Sequence, residues 1–172
     1  MSEIALPKVD KLILIRKKEI VKKLLKFVNA DNILSEADEV RPYETDALSV
    51  YTQTPLAVVL PENTKQVSDI LKYCNEENIK VVPRGAGTGL SGGALPLQDA
   101  ILLGLGKFNK ILEIDYENKC VVTQPGVTNL GITHAGEHKG YYYAPDPSSQ
   151  LACSIGGNVA ENSGGVHSLK YG

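Results

Sequence analysis

Pro83-Arg84-Gly85-Ala86-Gly87-Thr88-Gly89-Leu90-Ser91-Gly92-Gly93 decides how this chain is read. Five of its last nine residues are glycine, and it follows directly on Ile79-Lys80-Val81-Val82, a short apolar run that reads as a strand. Glycine lacks a Cβ and tolerates positive φ, so successive backbone N–H groups can converge on one point. Concave arrays of that kind bind anions, phosphates above all. Thr88 and Ser91 add hydroxyl donors, and Arg84 adds a fixed positive charge that suits a phosphate or a carboxylate inside the fold. A flexible solvent loop would also be rich in glycine. The two hydroxyls and the lack of any acidic residue between Pro83 and Gly93 favour the anion cradle.

Gly87 to Gly92 fits GxGxxG, and Asp115 follows at about the distance a dinucleotide fingerprint asks for. The context disagrees. The pattern should open a helix, yet Leu95-Pro96 comes almost at once. A Walker A loop is excluded because Gly93 stands where its lysine should be.

Upstream of the loop, Leu56 to Leu60 reads as a buried strand ended by Pro61. Asn63 or Thr64 caps a helix carrying Val67, Ile70, Leu71 and Cys74, which makes a strand–helix–strand crossover with Ile79 to Val82. Downstream, Ala100 to Leu103, Ile111 to Ile114 and Cys120 to Thr123 read as strands with short connections, followed by a helix around Thr128 to Glu137. The class is α+β: a βαβ-containing subdomain, then a mixed or antiparallel sheet. Residues 8–28 read as one amphipathic helix with Val9, Leu12, Ile13, Ile20, Leu24, Phe27 and Val28 at helical spacing. That stretch holds eight basic residues against two acidic ones. Its basic face either rests on a membrane surface or acidic partner or is simply solvated, and the acidic segment Asp31 to Asp46 can neutralise it.

A second cluster lies near the C-terminus: Ile155-Gly156-Gly157-Asn158, then Asn162-Ser163-Gly164-Gly165. Before it runs Tyr141-Tyr142-Tyr143-Ala144-Pro145-Asp146-Pro147-Ser148-Ser149-Gln150, stiffened by two prolines that fix their own φ and restrict their predecessors. Two glycine clusters in one small domain imply a long bipartite ligand with its phosphates at the first.

Composition is ordinary for a globular domain of 172 residues: 42% hydrophobic, 22% charged, formal charge −2. That balance argues against nucleic acid as the main partner. The apolar run Leu12 to Ile15 is too short for a signal-peptide core or a transmembrane segment. Cys74, Cys120 and Cys153 are odd in number and form no CxxC pair, so a reduced, cytoplasmic protein without a zinc site is expected.

PRGAGTGLSGG at 83–93, YAPDPSSQ at 143–150, CSIGGNVAENSGG at 153–165 and Lys170-Tyr171-Gly172 together resemble the FAD-binding (PCMH-type) domain of the vanillyl-alcohol oxidase/p-cresol methylhydroxylase family. The likeness is to its branch of glycolate oxidases and FAD-linked D-lactate or other D-2-hydroxy-acid dehydrogenases. Arg41-Pro-Tyr-Glu-Thr-Asp46 and Leu60-Pro-Glu-Asn-Thr64 also fit. The resemblance implies an N-terminal helical segment at 1–40 and an FAD-binding domain at 41–172 that is cut short at its C-terminus. It places Pro83, Arg84, Gly85, Ala86, Gly87, Thr88, Gly89, Leu90, Ser91 and Gly92 around the FAD pyrophosphate. Asp146, Ser148, Ser149, Cys153, Gly156, Gly157 and Asn158 would line the ribityl chain and flavin. Some relatives attach the flavin through a histidine where this chain has Thr88, so a non-covalent flavin is implied. The family's substrate and acid–base residues lie in a later domain. No catalytic residue is therefore assigned here, and the chain is expected to be inactive by itself, possible partner subunits of a glycolate-oxidase-like complex aside.

His134 and His138 stand four apart, but the pattern is not HExxH and no third ligand offers itself, so no metal is assigned. Tyr141 to Tyr143 either stack on the flavin or pack in the core. Two other readings stay open: an NAD(P)-binding Rossmann module that needs Asp115 on a ribose, and a non-catalytic fragment that retains no cofactor.

Overall fold

Ala57-Val58-Val59 and Ala100-Ile101-Leu102-Leu103 are apolar at every position, and a run of that kind can only be an inner strand covered on both faces. The computed structural model, which describes residues 6–171, places them so. Strands β1 (Ile33–Leu34), β2 (Ala57–Val59), β3 (Lys80–Arg84) and β4 (Ala100–Gly104) form one sheet in the order β1-β2-β4-β3. β2, β4 and β3 run parallel, and β1 pairs antiparallel with β2. Side chains alternate across the pleat. Ala57, Val59, Ile101 and Leu103 enter one cluster with the helices, while Val58 and Leu102 enter a second with Val40.

The N-terminal helix predicted as one piece is two: α1 (Lys11–Ile15) and α2 (Lys17–Leu24), broken at Arg16, whose φ/ψ of −83°/3° leaves the helical well. The guanidinium there pairs with Glu19 at 3.1 Å and, across the fold, with Glu77 at 2.5 Å. Ile13, Ile20, Leu24 and Val28 pack into the same cluster as the sheet, so this segment shares the core of the parallel half. A short helix α3 (Ala37–Val40) follows β1. α4 (Thr64–Glu76) then crosses from β2 to β3, capped by Asn63, whose Oδ1 accepts the Gln66 N–H at 3.0 Å. It buries Ile70, Tyr73 and Cys74, and burial pushes the Cys74 thiol up to about 11.

The predicted crossover exists, but its strands are not neighbours, because β4 inserts between β2 and β3. Chemistry accounts for the order. β4 is apolar throughout and needs a partner on each side, whereas β3 carries Lys80, Pro83 and Arg84. Pro83 has no N–H to give a ladder, which suits an edge.

β5 (Ile111–Asp115) and β6 (Cys120–Thr123) make a separate antiparallel hairpin. α5 (Asn129–Gly136) starts at Thr128, whose Oγ1 accepts the Gly131 N–H at 3.1 Å. α6 (Ile155–Glu161) and α7 (Ser168–Tyr171) complete the chain. Single bridges between Thr128 and Ser154 and between Asp146 and Gly165 tie this half together. The architecture is the expected α+β, and no helix among the described residues is long and apolar enough to cross a membrane.

Candidate functional site

The first glycine loop leaves the carboxyl end of β3, the edge of a parallel sheet where open α/β folds bind ligands. No helix follows it: residues 85–99 are turns and coil. Gly87 and Gly92 have φ of +73° and +75°, the left-handed region that requires glycine. Gly85 faces Ser154, and a Cβ there would run into the Ser154 hydroxyl and lie 3.9 Å from the Gly157 Cα. The two clusters, some seventy residues apart in sequence, thus meet at Ser154.

Ser154 is held there by its own segment. It is the residue before α6, in extended conformation, and α6 abuts the turn after β6. The Gly156 N–H donates to the Pro125 carbonyl at 2.8 Å, and a Cβ on Gly156 would sit 2.7 Å from the Pro125 Cβ. The Ile155 N–H donates to the Val127 carbonyl at 2.8 Å. The Ser154 hydroxyl therefore points at the glycine loop with no hydrogen-bond partner, although it is buried. Buried polar atoms are nearly always paired, so an orphan marks a place where a ligand or water completes the set. Asn158 Nδ2, Asn129 Oδ1 and Asp146 Oδ1 are orphaned and buried in the same half of the molecule. His167 Nδ1 comes within 3.0 Å of that Asp146 oxygen, but out of line for a hydrogen bond.

Arg84 packs its guanidinium against the loop, filling the space a Gly87 Cβ would take, and reaches past it. Its Nη1 donates to the Thr45 carbonyl at 2.7 Å and to the Ala94 carbonyl at 3.4 Å, and the group lies over the Tyr43 ring. Burial lowers its pKa while the nearby Asp46 carboxylate opposes that. The charge fastens both ends of the loop to the Tyr43–Asp46 segment. The other candidate residues divide by exposure. Asn158 and Cys153 are buried, Asp146, Ser149, Gly156 and Gly157 half-buried, and Ser148, Leu90 and Ser91 exposed. The Ser149 carbonyl accepts the Ala152 and Cys153 N–H groups, each at 2.8 Å, so it shapes the turn into α6. Glu161, at the end of α6, lays its carboxylate against Gly89, with Oε1 2.6 Å from where a Gly89 Cβ would stand.

Sequence reading missed Ser154 and Glu161. Ser154 could have been found as a helix N-cap type residue just before Ile155, had Gly156-Gly157 not hidden the helix. Asp115 is not free for a ribose. Its carboxylate accepts the Asn118 N–H at 2.9 Å and the Asn118 side-chain amide at 2.7 Å, closing the β5–β6 turn. With no helix after GxGxxG and Asp115 so engaged, the Rossmann reading is overturned. Tyr141 and Tyr143 do not face the glycine loops. With Tyr142 they line a cleft against the hairpin, Tyr141 lying 5.5 Å from the Tyr116 ring, and no residue of either glycine cluster lines it.

The arrangement fits a dinucleotide carrying a polyhydroxylated chain. The glycine loop leaves room and backbone N–H groups for a pyrophosphate. Ser154, Asn158 and Asp146 offer one hydroxyl, one amide donor and one acceptor oxygen for hydroxyls or a ring edge. Of the terminal Lys170-Tyr171-Gly172, Gly172 lies outside the described residues.

Comparison with known proteins agrees. The family described as "FAD binding domain" matches residues 55–172. The chain is 51% identical over 168 residues to glycolate oxidase subunit GlcD of Escherichia coli K12, covering 98% of this chain and 32% of that one. It is 39% identical over 137 residues to D-lactate dehydrogenase of Anaerostipes hadrus, covering 78% and 29%. Its fold superposes on p-cresol methylhydroxylase with substrate bound at a TM-score of 0.68 and 26% identity, covering 83% and 28%. The chain spans about a third of the length of the curated relatives it matches.

Proposed function

The chain belongs to the FAD binding domain family, and from that premise we propose that it is the cofactor-holding part of a flavoenzyme that oxidises a 2-hydroxy acid of the glycolate or D-lactate type to the 2-oxo acid. The meeting of the two glycine clusters at an unpartnered Ser154 hydroxyl is the observation that carries the reading. Bound FAD would supply the acceptor for the substrate's α-hydrogen and its electron pair, the hydroxyl proton going to a base. This chain's share is to bind and orient. The loop Arg84 to Gly92 holds the pyrophosphate with backbone N–H groups and the Thr88 and Ser91 hydroxyls. Ser154, Asn158 and Asp146 fix the ribityl and flavin portion. We assign the base and the substrate contacts to the part of the whole protein that lies beyond these residues, and flavin retention to non-covalent contacts, since Thr88 cannot form a histidyl bond. We assign residues 41–172 to the flavin-binding part, which the preceding helices α1 and α2 and strand β1 support through the shared core and sheet. The printed name of one relative, a glycolate oxidase subunit, supports partner subunits of a glycolate-oxidase-like assembly, and the three free cysteines support a reducing, cytoplasmic setting.

The test is titration of the purified chain with FAD, with NAD as control, followed by flavin fluorescence and far-UV circular dichroism. Saturable FAD binding with no response to NAD is expected, and mild denaturation should release the flavin intact. A chain that is folded by dichroism yet ignores FAD would sink the proposal.

A further inference from the structure

The outer face of α1 and α2 is used by neither the core nor the glycine site. Ile13, Ile20 and Leu24 point into the sheet's cluster. Away from them Lys11 and Ile15 on α1, Lys18 and Lys22 on α2 and Lys26 just past its end are all exposed. Ile15 is 80% exposed, Leu12 70% and Leu25 46%. A helix face that only meets water gains nothing from bare aliphatic side chains among its lysines. Aliphatic groups set in a lysine field are what an interfacial helix uses, the first to enter the lipid boundary and the second to meet anionic headgroups.

The lysines are also free to act. The sequence raises the prospect that the acidic segment from Asp31 to Asp46 neutralises them, but among the described residues none of its carboxylates forms an ion pair with these lysines, and two are engaged elsewhere. Glu39 accepts the Ser35 and Glu36 N–H groups at 3.0 and 3.1 Å, and Glu44 accepts the Thr54 hydroxyl at 2.6 Å. Lys17 and Lys23 are occupied, on the Ser35 carbonyl and the Tyr73 ring. Among the described residues the ion pairs of α1 and α2 join Arg16 to Glu19 and Glu77, and none reaches Lys11, Lys18, Lys22 or Lys26. The whole chain is net acidic at −2, so an anionic surface would attract this face and repel the remainder, which fixes an orientation.

We propose that the outer face of α1 and α2 is a docking surface for anionic lipid, on which the chain rests peripherally with Leu12 and Ile15 in the headgroup boundary. The test is co-sedimentation of the full chain with vesicles of phosphatidylcholine containing about one-third phosphatidylglycerol, against phosphatidylcholine alone. Binding is expected only to the anionic vesicles, and it should weaken steeply as salt is raised. Lys11→Glu, Lys18→Glu, Lys22→Glu and Lys26→Glu together should cut binding by more than about tenfold. Leu12→Ser with Ile15→Ser should cut it about three- to tenfold while keeping the salt dependence. Lys72→Glu with Lys139→Glu, on other exposed surfaces, should leave it unchanged. All these positions are exposed, so far-UV dichroism should not change. The proposal is overturned if wild-type chain ignores anionic vesicles, if it binds neutral ones equally, or if the charge-reversed helix binds as before. Retention on immobilised polyglutamate with no vesicle binding would assign the face to an acidic protein and would equally overturn it.

Discussion

The parallel half and the glycine half of this molecule satisfy their atoms in opposite ways. In the first, β2 and β4 are buried at every position and a fourteen-residue cluster closes around them. In the second, buried polar atoms on Asn129, Asp146, Ser154 and Asn158 lack partners, while Leu151, Val159, Val166 and Leu169 stand 74% exposed or more. The first half is completed largely by its own side chains, with Asn32 Nδ2 and Asp46 Oδ2 its buried polar atoms left over. The second leaves polar groups free for a ligand, which is what the proposed cofactor site requires, since every contact made internally is lost to the ligand.

The contrast is broken most forcefully in the scaffold. Ile101→Ala removes a wholly buried side chain from the central strand and should cost about 2–5 kcal/mol, seen as a large fall in the urea midpoint. FAD binding should be lost only as the fold is lost. Gly156→Ala comes next. Its Cβ would stand 2.7 Å from the Pro125 Cβ and 3.0 Å from the Pro125 carbonyl, a proline that cannot yield cheaply. A cost of about 1–3 kcal/mol is expected, together with weaker FAD binding in protein that remains folded. Should Gly156→Ala unfold the chain as thoroughly as Ile101→Ala, the two halves would be one cooperative unit and the distinction would fail.

The same contrast explains what could be read from sequence. Runs such as Ala100 to Leu103 announce themselves because burial on both faces demands continuous apolarity, and β2 to β6, α4 and α5 all lie where patterning puts them. Strand order was not legible from local pattern, although Pro83 carried the hint that β3 is an edge. The Arg16 guanidinium at the break pairs with Glu77, sixty-one residues away, which no local period can reveal. In the site, glycine showed where backbone must come close. It could not show that Gly85 meets Ser154, nor that Arg84 turns to the Thr45 carbonyl. Those are tertiary facts, set by how α6 leans on Pro125.

A smaller effect ties the N-terminus to the scaffold. Asp99, 2% exposed, accepts Lys80 Nζ and the Asp10 N–H, each at 2.7 Å. Burial pulls its pKa up, but these hydrogen bonds prevail and hold it below its ordinary 3.8. A carboxyl with a depressed folded pKa stabilises the fold above its unfolded value, and that contribution fades as pH falls through the folded one. Melting temperature should therefore drop below about pH 4 in the native chain, and Asp99→Asn should flatten that limb while costing about 1 kcal/mol at neutral pH. An unchanged acid limb in Asp99→Asn would remove Asp99 from the account.

The smallest change is the most discriminating. Ser154→Ala deletes a buried hydroxyl that has no partner in the protein, so the chain without cofactor should be as stable as before or slightly more so, because an unsatisfied group is removed. If that hydroxyl is held for FAD, affinity should fall by about 0.5–1.5 kcal/mol, roughly two- to tenfold, measured by flavin fluorescence. The two readouts must separate: melting unchanged, binding weakened. A loss of stability with unchanged binding would make Ser154 a structural residue of α6, and the glycine half would then be completed by its own atoms after all.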